Sequence, residues 1–168
     1  MINKEKPIYI FDTNIFIRWF RDYPEDVFQG LSENIKFLIE QESRVLSSSE
    51  VLAELEKRDD SVYKYAKRNK KIFIRPTVDE IHFVQNEVMN YSSKIDRNRR
   101  TYAEVNNIEV SNKILADPWV LALAKENKAI LVTAETNNSP YGLKVICEHF
   151  KVVYLEMKDM FRSEGWKF

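Results

Sequence analysis

The chain has 168 residues, of which 44% are apolar, and its 26 basic and 26 acidic side chains give a formal net charge of zero. This length and composition predict a single globular domain over residues 1–168. Zero net charge excludes a protein that binds nucleic acid through a basic field over its whole surface. No apolar run approaches the ~20 residues of a membrane span, and a lone cysteine, Cys147, excludes an internal disulfide. Without the pattern of a signal peptide at the N-terminus, we expect a cytoplasmic protein that does not associate with membranes.

Short apolar runs alternate with amphipathic segments along the chain. Strands are predicted, in chain order, at residues 7–11, 44–47, 129–133 and 152–155, with an ambiguous apolar segment at 72–74. Helices are predicted at residues 14–20, 25–39, 50–57, 62–70, 77–91, 118–124, 143–150 and 157–164. The polar stretch 92–113 shows little periodicity, and 137–140 has the composition of a loop. Alternating strands and helices predict an α/β sandwich with a mostly parallel sheet.

Four acidic residues follow or open these segments, namely Asp12, Glu54, Asp117 and Glu135. Two of them come just after strands, and the other two belong to helices that begin near the same edge of the sheet. Parallel sheets bind ligands at the carboxyl ends of their strands, so we expect the four carboxylates to converge there. Clustered carboxylates repel one another, and a divalent cation relieves that repulsion.

Carboxylate oxygens are hard ligands that select Mg²⁺ or Mn²⁺. Two such ions can activate water and stabilise the leaving oxygen of a phosphodiester, which points to a nuclease. Asn14 and Thr133 are polar neighbours that could orient a carboxylate or a metal-bound water from outside the ligand set. Glu50 lies one helical turn before Glu54, and their mutual repulsion of ~0.2–0.5 kcal/mol would also be relieved by a cation.

Taken one at a time, the four acids have simpler explanations. Asp12 and Asp117 stand where helix-capping residues are expected, and Asp117 is followed by a proline, as at many helix starts. Glu54 could pair with basic neighbours on a solvated helix face, and glutamates such as Glu135 are common in loops. The prediction of a metal site therefore rests on the four acids occurring together.

Residues 10–14, 51–55, 116–117 and 132–135 resemble, in order, the acidic motifs of the PIN-domain ribonucleases. Residues 23–28, 117–119 and 159–168 are similar to one PIN-like subgroup, the DUF4411 type, which is related to the VapC-like toxins. This resemblance implies a three-layer α/β/α fold. It also implies an Mg²⁺- or Mn²⁺-dependent endoribonuclease, often the toxin of a type II toxin–antitoxin pair.

Carried over to this sequence, the resemblance makes Asp12, Glu54 and Asp117 catalytic residues and metal ligands. Glu135 stands where many PIN domains have aspartate, and its extra methylene lengthens its reach. The implied partners are an RNA substrate, an antitoxin protein and a second copy of the chain. Two alternatives remain open: a structure-specific nuclease in RNA processing or DNA repair, and a catalytically idle scaffold that binds a protein or nucleic acid.

A basic cluster without any acidic residue occupies part of the chain after the second predicted strand. It could hold an RNA backbone or an acidic antitoxin segment, although a solvated helix face is the simpler explanation. The cluster comprises Lys64, Lys67, Arg68, Lys70 and Lys71.

Overall fold

A computed structural model of the chain describes residues 6–91, 93–94, 97, 118–134 and 143–167. Within these residues five strands form one sheet, and every pairing between them is parallel. The strands are β1 (Tyr9–Phe11), β2 (Val45–Ser48), β3 (Phe73–Ile74), β4 (Ile130–Thr133) and β5 (Tyr154–Glu156). Their order across the sheet is β3-β2-β1-β4-β5, which confirms the predicted α/β fold with a mostly parallel sheet.

Eight α-helices with assigned bounds accompany the described strands, and a π-helical segment, Val84–Val88, continues the fifth into the helical residues 89–91. They are α1 (Thr13–Asp22), α2 (Gln29–Glu40), α3 (Ser49–Glu56), α4 (Ser61–Arg68), α5 (Val78–Phe83), α6 (Pro118–Glu126), α7 (Leu143–Phe150) and α8 (Met157–Ser163). The ambiguous segment 72–74 contains β3, and a 3₁₀ turn, Lys70–Ile72, leads into that strand. Most of the polar stretch 92–113, the loop 137–140, Asp117 and Glu135 lie outside the described residues.

Strand β1 lies at the centre of the sheet, and all three of its residues are fully buried. Its Ile10 pairs with Leu46 on one side and with Leu131 on the other. A strand covered by neighbours and by both adjacent layers must be apolar at every position, which explains the continuous run that predicted it. The chain therefore leaves the carboxyl end of β1 in the middle of the sheet edge.

The helices form layers on both faces of the sheet. The chain moves from β1 to β2 to β3 in one direction and from β4 to β5 in the other, so right-handed connections place the two sets of helices on opposite faces. The contacts agree, because α1 packs with α3 and α4, while α6 crosses β1, β2 and β4. This is the expected α/β/α arrangement.

Local capping chemistry sets several helix starts. Thr77 and Glu80 form the capping box that the sequence predicts: the Thr77 hydroxyl accepts from the Glu80 N–H at 3.2 Å, and the Glu80 carboxylate accepts from the Thr77 N–H at 2.6 Å. The Ser48 hydroxyl accepts from the Glu50 N–H at 3.2 Å and starts α3 directly after β2. These bonds satisfy amide donors that a helix leaves unpaired at its first turn.

Several predicted boundaries differ from the structure by one to four residues, and two of them have a clear local cause. Helix α2 begins at Gln29 and not at residue 25, because the carbonyl of Pro24 accepts from the N–H groups of Val27 and Phe28 and closes a turn there. Strand β5 begins at Tyr154, which pairs with Leu131 of β4. The preceding apolar residues are predicted to belong to the strand, but Val153 is 62% exposed to solvent.

The core is built around large aromatic side chains and one thiol. Trp19 is 2% exposed, donates its indole N–H to the Ser32 hydroxyl at 3.2 Å and meets Tyr65 edge to face at 5.1 Å. Cys147 on α7 is fully buried, as expected for a small apolar side chain. Among the described residues, no helix is both long and apolar enough to cross a membrane.

A buried ionic clamp closes the amino edge of the sheet. Arg44 precedes β2 and donates to both carboxylate oxygens of Glu164, at 2.9 and 2.5 Å. The same guanidinium donates to Glu42 at 2.8 Å and to the carbonyl of Pro7 at 2.9 Å. The Tyr9 hydroxyl donates to Glu164 at 2.5 Å. The clamp thus joins β1, β2 and the end of α8.

The clamp also perturbs the protonation of its members. Burial by itself raises the pKa of Glu164, but hydrogen bonds from Arg44 and Tyr9 outweigh burial and leave that pKa below its ordinary value. Burial and the hydrogen bond to Glu164 raise the pKa of Tyr9 to about 12. Glu164 therefore stays ionised, and Tyr9 stays neutral, over a wide pH range.

We expect Glu164→Gln to lower the free energy of unfolding at pH 7 by about 1–3 kcal/mol, because Arg44 loses its two-oxygen partner. A carboxyl whose folded pKa is lowered stabilises the fold above its unfolded pKa, and this contribution is lost as the pH falls through the folded pKa. The difference in unfolding free energy between wild type and variant should therefore decrease as the pH falls below 4.5, the ordinary pKa of a glutamate. Urea unfolding at pH 7 and pH 3 measures this difference.

Glu25→Gln, which removes an exposed ion pair with Lys36, is the control, and it should change the free energy of unfolding little. Equal unfolding midpoints for wild type and Glu164→Gln at pH 7 would contradict the assignment.

Candidate active site

Asp12 is the first residue after β1, and its side chain caps α1. One carboxylate oxygen, Oδ1, accepts from the Ile15 N–H at 2.8 Å. The residue is only 7% exposed, which is low for an aspartate at a helix start. The carbonyl of Phe11, just before it, accepts from the Ser47 hydroxyl at 2.6 Å. Both bonds fix the backbone and the carboxylate at the end of the central strand.

The direction of chain connection reverses between β1 and β4. In sheets of this type the two diverging connections leave a crevice outside the carboxyl ends of the strands, and ligands bind there. Phe11 pairs with Val132 across this boundary, so Asp12 and Thr133 come next on their respective strands. Thr133, predicted to support the site, is 1% exposed and pairs with Glu156 of β5.

Glu54 reaches this region from the neighbouring helix. It is exposed on α3, and the Thr13 hydroxyl donates a hydrogen bond to its Oε2. Because Thr13 follows Asp12 directly, this contact brings the first and second acidic motifs together, although more than forty positions separate them in the sequence. Helices α1 and α3 also pack against each other, which supports the contact.

Glu50 and Asn14 are both exposed near the same edge. Glu50 lies in the first turn of α3, where a negative charge interacts favourably with the helix dipole, and its side chain therefore has a structural explanation as well. Asn14 lies in the first turn of α1, two residues after Asp12.

Two of the four predicted ligands, Asp117 and Glu135, lie outside the described residues. The described parts of the chain contain no group of three or more His, Cys, Asp or Glu side chains that could hold a metal ion. The described pair, Asp12 and Glu54, consists of hard oxygen donors. Mg²⁺ commonly binds through one or two protein carboxylates together with water and substrate phosphate, so this donor chemistry fits such an ion.

The basic cluster lies away from Asp12. Lys70 and Lys71 form the turn that precedes β3 and so stand at the amino edge of the sheet, whereas Asp12 stands at the carboxyl edge. The cations of α4 are exposed, and Lys67 lies 5.8 Å from the ring centroid of Tyr63. The hydroxyl of Tyr63 donates to Glu56 at 2.9 Å, so this ring packs locally.

Two residues that position the site, Thr13 and Ser47, were not predicted from the sequence. Thr13 has an adjacent signal, because it directly follows the first acidic residue. Ser47 stands at the end of an apolar run, where a buried hydroxyl must find an acceptor. The acceptor itself depends on the pairing of β1 with β2, which the sequence does not specify.

A model of the family described as "Domain of unknown function (DUF4411)" matches residues 9–168. The chain belongs to the DUF4411 family. The matched range includes Asp12 and Glu54, and it confirms the subgroup that the sequence motifs resemble. No match between this DUF4411 protein and a curated protein was found.

Two solved structures are similar to this DUF4411 protein. One is the crystal structure of VapBC2 from Rickettsia felis bound to a DNA fragment from their promoter; the identity is 18%, the TM-score is 0.43, and the match covers 89% of this chain and 98% of the other. The second is the crystal structure of FitAcB from Neisseria gonorrhoeae; the identity is 15%, the TM-score is 0.37, and the coverage is 88% and 96%.

The cap formed by Asp12 generates a stability prediction. Asparagine caps helices as well as aspartate does, so Asp12→Asn should keep the bond from Ile15 and unfold close to wild type. Asp12→Ala removes the acceptor and should lower the free energy of unfolding by about 1 kcal/mol. Urea unfolding followed by circular dichroism measures both. An asparagine variant as unstable as the alanine variant would show that the cap is not the main structural role of Asp12.

Proposed function

We propose that this DUF4411 protein is an Mg²⁺- or Mn²⁺-dependent endoribonuclease that hydrolyses RNA phosphodiester bonds. One observation carries the proposal. The buried carboxylate of Asp12 stands at the carboxyl end of the central strand, beside the β1/β4 crevice, and Glu54 is hydrogen-bonded to the very next residue. A parallel sheet offers its ligand site at this position, and paired carboxylates suit a metal ion that meets a phosphate.

Asp12 and Glu54, together with Asp117 and Glu135, would hold the metal. When bound, the ion would supply Lewis-acid chemistry, which lowers the pKa of water and stabilises charge on a phosphodiester. Asp12 is oriented by the Ile15 N–H, and Glu54 by the Thr13 hydroxyl. Fixed orientation matters because a carboxylate that is already held in place loses less conformational freedom when it binds a ligand.

The exposure of Glu54 and Asn14 suits a site that must admit a polymer. Asn14 can hydrogen-bond a phosphate oxygen or a water through its amide, and Thr133 supports the floor of the crevice. Asp12 is buried under the same edge, so its charge acts through a medium less polar than bulk water. Phosphoryl-transfer sites combine a charged side chain that is partly removed from water with exposed groups that contact the substrate. Asp12 and its exposed neighbours have this combination.

We also infer a biological role as the toxin of a type II toxin–antitoxin pair. The resemblance of the four motifs to PIN-domain toxins supports this role, and it brings an antitoxin protein and a second copy of the chain as expected partners. The basic cluster at the amino edge, Lys64–Lys71, suits an acidic antitoxin segment, because it is exposed and separated from the Asp12 edge.

The central test measures cleavage of a structured RNA by the purified protein with and without Mn²⁺. Asp12→Asn and Glu54→Gln should each lower the rate by at least about a hundredfold, since each removes a ligand charge and not only a supporting contact. Glu56→Gln is the matched control, because it makes the same change two residues away on the same helix. The control should cut RNA at the wild-type rate.

Equal rates for wild type and Asp12→Asn would identify a contaminating nuclease and remove the proposal. Cleavage of flap DNA in preference to RNA would favour a structure-specific nuclease of repair or processing. Binding of RNA that persists in EDTA, without any cleavage in Mn²⁺, would favour an idle scaffold. Growth arrest on expression of wild type, but not of Asp12→Asn, would support the toxin role.

The contact between Thr13 and Glu54 generates a second functional prediction. Thr13→Val removes the donor while keeping the shape, and we expect it to lower cleavage about ten- to a hundredfold and to raise the Mn²⁺ concentration needed for half-maximal rate. Thr13→Ser keeps the hydroxyl and should retain most of the activity. A valine variant with the wild-type Mn²⁺ dependence would limit Thr13 to a structural role.

A further inference from the structure

A second cleft opens at the carboxyl edge of the sheet, next to the crevice that contains Asp12. It lies between α1 and the start of α8, and its floor is the end of β4. It is open to solvent, and its empty volume of about 380 Å³ includes part of that open space. Two cations and two anions line its rim: Arg18, Lys158, Asp22 and Glu156.

The two anions of the cleft already have cationic partners. Arg21 donates to both carboxylate oxygens of Asp22, at 2.6 and 3.1 Å, and these bonds lower the pKa of Asp22. Lys144 donates to Glu156 at 2.6 Å. Neither Arg21 nor Lys144 lines the cleft, so both neutralise the anions from outside it.

The two cations are in a different situation. Among the described residues, neither Arg18 nor Lys158 forms an ion pair or a side-chain hydrogen bond. Arg18 is half-buried on α1 and Lys158 is exposed in the first turn of α8, so they face the cleft from opposite walls. Arg18 also lies close enough to Asp22 to contribute to the lowering of its pKa. Because Arg21 and Lys144 add two further cations beside the two anions, positive charge is in excess around the cleft, and this excess favours an anion.

The cleft and the Asp12 crevice share a wall. Thr133 lines the cleft and also follows the residue that pairs with Phe11, next to Asp12. Neighbouring strands lie about 4.8 Å apart, so β1 and β5, with β4 between them, are separated by on the order of 10 Å. One or two nucleotides of an extended single strand span such a distance.

We infer that Arg18 and Lys158 bind a backbone phosphate of single-stranded RNA adjacent to the phosphate that is cut at Asp12. This inference rests on the proposed nuclease function, and it assigns the path of the substrate beyond the metal site. Arg18 supplies a planar group that can contact two phosphate oxygens, and Lys158 supplies a point charge from the opposite wall. The contact is to the backbone and therefore does not select a base.

The test measures the dissociation constant of a short, fluorescently labelled single-stranded RNA by anisotropy in EDTA, over a series of salt concentrations. The double variant Arg18→Gln, Lys158→Gln should raise the Kd by about tenfold and reduce the salt slope by ~0.7 for each phosphate that the variant no longer neutralises. Arg18→Lys keeps the charge and should bind closer to wild type than Arg18→Gln does. Lys128→Gln is the control, because it removes an exposed cation from the turn before β4, at the opposite edge of the sheet.

Unchanged Kd and salt slope in a folded double variant would overturn the inference, even if wild type cleaves RNA. Weaker RNA binding by that variant, with no Mn²⁺-dependent cleavage by wild type, would instead remove the nuclease proposal and leave the phosphate site in place. Tighter binding of a decaglutamate peptide than of RNA, dependent on the same two cations, would overturn the inference in favour of an acidic protein partner. Unfolding midpoints of all variants establish that they are folded.

Discussion

The parallel pairing of β1 with a strand on each side is the constraint on which the rest of this structure depends. A central strand covered on both faces must be apolar, so the first polar side chain that the chain can offer is the one just past its end. That residue is Asp12, and the connections to successive strands run in opposite directions on either side of the β1/β4 boundary, which opens a crevice there. Ser47 and Ile15 satisfy the hydrogen-bonding groups around it, which holds the carboxylate in one orientation.

Charged side chains are arranged differently at the two edges of the sheet, although their charges sum to zero over the chain. At the amino edge, Arg44 and Glu164 compensate each other inside the clamp, and the result is structural. At the carboxyl edge, Asp12 and Glu54 stand beside a cleft whose two cations form no close ion pair with a described carboxylate. Negative groups that suit a metal and positive groups that suit a phosphate therefore occupy adjacent parts of one surface. Such a pairing would suit a polyanionic substrate, and the net charge of the sequence does not reveal it.

Local rules in the sequence predict the elements whose causes are local. The capping box at Thr77 and the cap at Asp12 depend on side chains within three residues, and both form as expected. The predicted start of β5 is too early, because apolar residues such as Val153 extend past the stretch that pairs with β4. Strand pairing is a long-range property, and a run of valines does not reveal where it begins.

The same distinction separates what is predictable in the site from what is not. Asp12 and Glu54 can be identified because an acidic residue after an apolar segment is visible in the sequence. The bond from Thr13 to Glu54 depends on how α1 packs on α3, and the separation of Lys70 from Asp12 depends on the strand order. Arg18 and Lys158 come together only because α1 and α8 both flank the ends of β4 and β5. The positions of Arg18 and Lys158 in the sequence do not indicate that the two residues line the same cleft.

Because Cys147 is buried, the reactivity of its thiol can be used to measure local unfolding of the protein. Its thiol, on α7, is sealed from solvent in the folded chain. A reagent that modifies thiols must therefore wait for the surrounding structure to open, and the speed of modification counts those openings. Helix α7 precedes β5, and β5 pairs with β4, whose Thr133 borders both the cleft and the Asp12 crevice. A ligand that stabilises this half of the sheet would therefore slow modification of the Cys147 thiol without contacting it.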